Sequence, residues 1–386
     1  MTSRSEGEAM ERHAADVMVI GAGMAGATAA AHLAPTHRVA LLEAEESAGY
    51  HATGRSAAIW IRNYGNRDVR ILTAASRSFF LAPPAGFTEA PLSSPRPVLH
   101  LAPPEQVPLL EALVAGGQMI EPIGLDRARA MVPALRPDYA VAAAVETDCF
   151  DIDVAALHAG FLRALRQAGG VLALRRRASR IWRQGGLWHA ETSGGDVFTA
   201  PFLVNAAGAW GDEVAEMAGE PRLGLAPKRR TACIIDPAPY AVRDWPLVGD
   251  AAHSWYARPE ARSKLMLSPA DETDSPPMDA WPEEIDVALA VERMQQALAI
   301  EVRRVEHAWA GLRTFTPDRS LAIGPGRSDG FFWMCGQGGY GIQTAPAAGA
   351  LLAALLRGEA PPPGTEEAVA LVDPRRFPLP AGGPRP

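Results

Sequence analysis

The sequence predicts an α/β fold, in which a parallel-sheet domain alternates along the chain with an α+β domain. Three observations predict it. An apolar run from Asp16 to Ile20 meets the turn Gly21-Ala22-Gly23-Met24-Ala25-Gly26, and an Ala-rich segment follows to about Leu33. That order, apolar strand then helix with a second short apolar strand behind it, is the βαβ pattern of parallel sheets. Prolines 83, 84, 91, 95, 97, 103 and 104 crowd the stretch 81–107 and mark a change of architecture. The texture of the first segment then returns at Trp309 to Leu356.

Taken in order, Pro35 and Thr36 end the first helix, and Arg38 to Leu42 form the next strand, closing at Glu43. Thr53-Gly54-Arg55-Ser56-Ala57-Ala58 is expected to start another helix. From Ile152 to Gln167 the period is helical, with Leu157, Phe161 and Leu165 on one face. Strand-like runs follow at Ile181 to Thr192, broken by Gly185-Gly186, and at Phe198 to Asn205. The stretch 221–304 mixes strands and proline turns with an amphipathic helix near Ile285 to Leu298. The expected division is 14–80, 147–220 and 305–360 for the first domain and 81–146 and 221–304 for the second. Residues 1–13 and 361–386 are expected to be tails. No internal repeat is present.

A chain of 386 residues suffices for two such domains, and 48% hydrophobic with 21% charged residues is ordinary for a soluble globular protein. A net charge of -7 argues against the basic face of a nucleic-acid binder. Cys149, Cys233 and Cys335 are widely spaced and fit no metal pattern, so free thiols in a reducing, cytoplasmic compartment are expected, with no metal. The first 15 residues lack an apolar core and read as a lead-in, not a signal peptide. Val17 to Ala34 is mostly apolar, but its three glycines in a βαβ setting argue against a membrane span.

Gly21-x-Gly23-x-x-Gly26 gains specificity from its setting between strand and helix and from Glu43, 20 residues beyond Gly23. Gly21 makes the tight turn, Gly23 lets backbone approach a pyrophosphate, and Gly26 allows close helix–strand packing. The helix N-terminus stabilises phosphates, and Glu43 can accept from ribose hydroxyls. The segment therefore reads as a dinucleotide site. Two distant elements favour FAD over a nicotinamide cofactor. Leu203 to Trp210 is a strand ending in small residues, including Gly208. Gly336-Gln337-Gly338-Gly339-Tyr340-Gly341-Ile342-Gln343-Thr344 opens the last long helix. Its row of backbone N–H groups suits a flavin carbonyl that gains negative charge on reduction.

These elements, with Tyr50 to Ala58 and Trp309-Ala310-Gly311-Leu312-Arg313, resemble the D-amino acid oxidase (glycine oxidase) family of flavoproteins. More narrowly, the chain resembles bacterial D-arginine dehydrogenases at TGRSAA, LTAASRSFF, PPAGF, SPRP, LVNAAGAW, PKRR, WAGLR and GGYGIQT, over about Asp16 to Leu356. The resemblance implies a Rossmann-like FAD domain, noncovalent FAD, and an antiparallel substrate-domain sheet over the flavin. It assigns Ala25, Glu43 and Ala44 to the ADP half, Ala178 to the adenine, and Ala52 to Ala58 with Gly338 to Gln343 to the isoalloxazine. It also implies hydride transfer from an amino acid Cα to the flavin, giving an imino acid that hydrolyses to a 2-oxo acid.

An α-amino acid substrate needs a carboxylate clamp, and a planar guanidinium provides one in bidentate geometry. Arg313 matches the family's carboxylate-binding arginine. Arg230 matches a second; without the resemblance, Lys228-Arg229-Arg230 reads as a solvated charge run. Tyr64 and Tyr256 match two tyrosines lining the substrate, and the carbonyl of Gly339 would accept from the amine. Leu247 and Gly249 fall at pocket positions. The chain departs from the arginine-specific proteins where Val98 replaces a carboxylate and Ile59 and Ile61 replace a His and a Thr. Such a wall would leave a cationic side chain unpaired at a cost of about 2–5 kcal/mol, so a neutral or hydrophobic amino acid is expected. Were Arg62 to face the pocket, an acidic substrate would follow instead. Oxygen-using relatives keep a lysine beside the flavin; the expected register puts Leu265 there, next to Lys264, which favours a quinone or other carrier. A secondary-amine (sarcosine- or opine-like) oxidoreductase, a flavin-binding redox-regulatory protein and a nicotinamide-only enzyme remain as alternatives.

Overall fold

The computed structural model describes residues 12–260 and 263–378. The chain forms two interleaved compact units. The first comprises residues up to 50, 158–225 and from 315 onward; the second comprises 51–157 and 226–314.

The first unit is built on a six-stranded sheet in the order Val171–Ala173, Val39–Leu42, Val17–Ile20, Phe202–Asn205, Phe331–Cys335 and Ala322–Pro325. Neighbours are parallel except the last pair. Val17–Ile20, Val39–Leu42 and Phe331–Cys335 are buried along their whole length, as strands covered on both faces must be. The helices Met24–Leu33 and Ala345–Arg357 pack closely against each other, where Thr28 Oγ1 donates to Ala345 O at 3.0 Å. A side chain on Gly349 would run into Thr28. A second sheet, Arg12–Ala14, Val197–Ala200, Leu187–Thr192 and Ala178–Gln184, shares a core with the first through Trp188, Phe198, Leu203 and Phe331. Its hairpin turns at Gly185 and Gly186, both at positive φ (60° and 81°), as a two-residue turn between twisted strands requires.

Three expectations change here. Phe198 to Asn205 is not one strand: Pro201 has no N–H to donate, and the chain leaves one sheet at Ala200 and enters the other at Phe202. Of the expected tails, residues 1–11 and 379–386 lie outside the described residues. Arg12–Ala14 is a strand pairing with Val197–Ala200, and Ala368–Val372 is a helix with Ala368 and Val372 buried.

The second unit carries a nine-stranded, largely antiparallel sheet containing Val98–Ala102, Ala142–Glu146, Ala226–Ile235, Leu247–Asp250, Tyr256–Glu260, Lys264–Ser268 and Val305–Phe315. Because successive side chains alternate, the register sorts its residues into two faces. Leu99, Leu101, Cys233, Val248, Ala257, Leu265 and Leu267 form one face, packed on Ala290, Met294 and Ala297 of the helix Glu284–Ala297. Val98, His100, Glu146, Leu247, Gly249, Tyr256 and Ser268 share the other, through the pairs Val98↔Glu146, Leu247↔Val98, Gly249↔His100, Gly249↔Tyr256 and Tyr256↔Ser268. A three-stranded sheet, Ile59–Ile61, Cys149–Ile152 and Ser93–Pro95, completes this unit.

The helix expected from Thr53 is absent. Residues 51–55 turn, Ile59–Ile61 is a strand, and the next helix is Arg67–Leu81. Two β-branched residues around Trp60 favour the extended chain, which Cys149–Ile152 captures. The same pairing groups 51–80 with the second unit, whereas the expected division kept it with the first. Residues 147–157 and 305–314 follow it there.

Candidate functional site

The first unit holds the glycine turn. Gly21 stands at φ 98° against the backbone of Ala206, and a Cβ on Gly26 would collide with the carbonyl of Gly21. Only glycine fits either place. The helix beginning at Met24 has no capping side chain and no acidic residue in its first turn, so its N–H groups and positive end stay available to an anion. Glu43 closes the turn from the neighbouring strand: its Oε2 accepts from Ala22 N at 2.8 Å and its Oε1 from Glu45 N at 3.0 Å. A carboxylate pinned this way keeps lone pairs for ribose hydroxyls. Ala25 lies in the helix's first turn, Ala44 directly after Glu43, and Ala178 begins the strand of the second sheet.

Gly208 (φ 54°) follows the strand Phe202–Asn205, where buried Asn205 holds the turn by donating to Gly211 O at 2.7 Å and accepting from Ala207 N at 3.2 Å. The loop 336–344 precedes the helix Ala345–Arg357, whose first turn is also free of acid. Gly338 stands at φ 50° with no room for a Cβ against the Phe315 ring, and Gly341 crowds Gln337. Gly339 and Tyr340 form the next turn, with Ile342 and Gln343 buried behind it. Glycine cradles, acid-free helix ends and the pinned Glu43 together fit a dinucleotide.

The second unit gathers the expected substrate residues. Arg313, on Val305–Phe315, donates from Nη1 to Tyr64 Oη at 3.3 Å. Burial works to lower its pKa, but the oxygens of Tyr64 and Tyr256 outweigh it and hold the guanidinium charged. Burial likewise pushes the Tyr256 phenol up, yet Arg313 and then Arg230, with hydrogen bonds from Ser268 and Arg230, bring it below the usual tyrosine range. Arg230 donates from Nε to Asp271 O at 2.8 Å and from Nη2 to Glu272 Oε1 at 3.5 Å. The run 228–230 is therefore no solvated charge run. Lys228 pairs with Asp274, Arg229 turns to Asp286 of the helix Glu284–Ala297 and to its N-cap Glu283, and Arg230 joins Tyr256.

Beside these polar groups lies an apolar wall. Val98, Leu247 and Cys149 cluster with Ile59, Ile61 and Tyr256. Gly249 stands opposite Tyr256, where a Cβ would meet Trp255 O at 2.6 Å and Tyr256 Cβ at 3.3 Å. Ile59 and Ile61 face this wall while Trp60 points the other way, fully buried and stacked on Phe150 at 5.0 Å. Arg62 donates to Asp148 at 2.6 Å, with Arg77 on the second carboxylate oxygen, so it is committed away from Ile59 and Ile61.

Of Ala52, Thr53, Gly54, Arg55, Ser56, Ala57 and Ala58, the first four lie in the turn 51–55 of the second unit and the rest lead into the strand Ile59–Ile61; Arg55 donates to Ala280 O at 2.7 Å and Ala310 O at 3.1 Å, and its own carbonyl accepts from Trp309 Nε1 at 3.0 Å. Leu265 lies in the core against the helix Glu284–Ala297, on the face opposite Tyr256. Lys264 is held charged first by its hydrogen bond to Glu306, at 2.7 Å, and by Asp236. Sequence reasoning missed Glu272, Ser268, His100, Glu146 and His253. One signal was available: Glu146 is a single carboxylate ending an Ala/Val strand.

Burial pushes the Cys233 thiol up to about 11 and the Cys335 thiol up to about 12, and raises Cys149 further, so all three free cysteines are unreactive at neutral pH. Among the described residues no group of three His, Cys, Asp or Glu could hold a metal, and no helix is long and apolar enough to cross a membrane.

Residues 16–355 match the protein family described as "FAD dependent oxidoreductase". Among curated relatives, Hydrogen cyanide synthase subunit HcnC of Pseudomonas aeruginosa is 27% identical over 205 residues, 52% of this chain and 48% of that protein. The match thus spans about half the length of that relative. Among solved structures, glycine oxidase from Geobacillus kaustophilus superposes with a TM-score of 0.81 at 22% identity, covering 95% of this chain and 99% of the other. L-proline dehydrogenase from P. horikoshii gives 0.79 at 20%, covering 96% and 98%. At these identities the likeness to both is one of fold.

Proposed function

The chain belongs to the family of FAD-dependent oxidoreductases, and from that premise we propose that it oxidises the Cα–N bond of an α-amino acid with a neutral or hydrophobic side chain. One observation carries the proposal. Arg313, Tyr64, Tyr256 and Arg230 converge in the second unit beside the wall of Ile59, Ile61, Val98 and Leu247. Two guanidiniums among phenols offer a carboxylate paired N–H donors in a partly desolvated place. The apolar wall rewards burial of a side chain by about 25 cal/mol per Å², and Ile59, Ile61, Val98 and Leu247 themselves carry no group that could pair with a cationic one.

FAD, when bound, supplies the hydride acceptor. Gly21, Gly23, Ala25, Gly26, Glu43, Ala44, Ala178 and Gly208 are proposed to hold its ADP half and 338–343 its ring system; the family resemblance also assigns 52–58 to the ring system. Arg313 and Arg230 would bind the substrate carboxylate, Tyr64 and Tyr256 would orient it and exclude water, and Gly339 O would accept from the amine. No strong base stands in the cluster; desolvation lowers the pKa of a bound ammonium and leaves the amine neutral for oxidation.

The narrower resemblance to D-arginine dehydrogenases supports a D-amino acid. The wall argues against arginine itself, and the Arg62–Asp148 pair argues against an acidic substrate. The same clamp serves a secondary amine, and a quinone or other carrier is the proposed acceptor. Anaerobic bleaching of the bound flavin against D-amino acids, L-amino acids and N-alkyl glycines tests the substrate assignment, and reoxidation of the bleached flavin by a quinone against oxygen tests the acceptor. Neutral D-amino acids should bleach fastest and D-arginine poorly. D-arginine as the best substrate would overturn the side-chain assignment, and N-alkyl glycines as the best would move the enzyme to secondary amines.

A further inference from the structure

The face of the sheet that carries Val98 and Tyr256 also carries two ionisable side chains that the proposed function leaves unused. Glu146 is fully buried and stands directly opposite Val98 in the antiparallel pairing. His100, 4% exposed, lies two residues along on the same face. His100 Nε2 and Glu146 Oε2 are 3.5 Å apart, and neither atom has a hydrogen bond. A buried carboxylate and imidazole with spare valences are costly unless something uses them.

Both lead to Tyr64. Glu146 Oε1 accepts from the backbone N–H of Asn63 at 3.1 Å, the residue immediately before Tyr64. Asn63 is itself clasped to Gln118, donating to its carbonyl at 2.8 Å and accepting from its N–H at 2.8 Å. From the other side, the His100 ring meets His253 edge-on at 5.9 Å, and His253 meets the Tyr64 ring edge-on at 6.2 Å. His253 is exposed and stands at φ 53°, in the left-handed region. Asp250 enforces that turn: its carbonyl accepts from His253 N at 3.0 Å, and its carboxylate takes both the N–H, at 2.6 Å, and the hydroxyl, at 2.5 Å, of Ser254. The ionisable groups facing His253 are thus His100, Glu146, Asp250 and Tyr64.

We propose that Glu146 is a positioning residue for the carboxylate clamp: through Asn63 it fixes the backbone at Tyr64, and through His100 and His253 it braces the Tyr64 ring that holds Arg313. This rests on the reading of Arg313 and Tyr64 as the clamp. One carboxylate closing both routes predicts that Glu146 and His253 act as a unit.

The test compares Glu146→Gln, His253→Gln and the double variant in the FAD-loaded protein. Glu146→Gln keeps shape and an acceptor for Asn63 but loses the carboxylate; His253→Gln lies on an exposed turn and spares the core. Two readouts are taken: KM against kcat for the best substrate of the bleaching panel, and the Kd of non-reacting carboxylates, acetate and benzoate, by calorimetry. Each single variant should raise KM and Kd roughly tenfold while kcat moves less than about threefold, since the loss is in binding geometry. The double variant should be no worse than the poorer single, because coupled residues are not additive. Unchanged KM and Kd in the singles, or a double variant equal to the product of the two, would overturn the proposal. A lowered melting temperature alone, without the KM-against-kcat split, would make Glu146 merely structural and overturn it equally. Should Glu146→Gln not fold, the cycle of His253→Gln with Tyr64→Phe decides on the same criterion. If no amino acid or amine bleaches the wild-type flavin, the functional reading fails, while the carboxylate Kd values still decide the bracing.

Discussion

Arg313 is where a single side chain carries most of the chemistry. It is held by Tyr64 at 3.3 Å and by the field of Tyr256, so its removal leaves two phenols without the guanidinium they face. Replacing it with Met should lower kcat/KM for the best amino acid by a factor corresponding to about 2–5 kcal/mol, with FAD content unchanged. Arg313→Lys should recover only part of that loss, because an ammonium lacks the planar two-pronged donor. Steady-state kinetics on flavin-normalised protein checks both. A full rescue by lysine would mean that charge, not geometry, sets the clamp.

At the scale of elements, the sheet of the second unit explains why one surface can carry apolar and ionisable side chains at once. Alternation sends Leu99, Leu101 and Val248 to the helix Glu284–Ala297 and turns Val98, His100 and Leu247 to the other side. The strand Ile59–Ile61 is anchored at its end by Asp148, which accepts from Arg62 and Arg77 at 2.6 Å each. Burial pushes the Asp148 carboxyl up, but the two guanidiniums overcome it and hold it below the usual range. Its folded pKa being depressed, it contributes stability that is complete above the unfolded value, about 3.9, and is lost as pH falls through the folded value. Asp148→Asn should therefore cost about 1–3 kcal/mol at pH 7, by stranding Arg62 and Arg77, and the gap to wild type should close as pH drops below 4. Urea denaturation at pH 7 and at about pH 3 measures this; an equal gap at both pH values would assign the effect to packing.

For the whole molecule, the expected consequence of the glycine cradle is linkage between cofactor and folding. FAD at about a hundred times its Kd should add about 2.7 kcal/mol, seen as a rise in melting temperature. Gly26→Val should abolish that rise, since any Cβ there strikes the carbonyl of Gly21. Thermal melts with and without added FAD test it, and a shift that survives in the variant would move the cofactor away from this turn.

The sequence by itself determined the strand, turn and helix from Asp16 to Leu33, the next strand and Glu43, because their interactions are local and the glycines are demanded by backbone sterics within one βαβ unit. It also determined the helices near 152–167 and 285–298, whose period is written in consecutive residues. The roles expected of Arg313, Arg230, Tyr64 and Tyr256 were legible only through the family resemblance, since no local pattern joins residues 249 positions apart. Only the tertiary structure decided that 51–80 joins the second unit, that Pro201 divides two sheets, and that Leu265 faces the core. The same is true of Glu146: nothing in Ala142–Glu146 names Val98, Asn63 or His100 as its neighbours. Strand register makes those neighbours, and register is a property of which distant segments pair, with a period of two that sends every side chain to one face or the other.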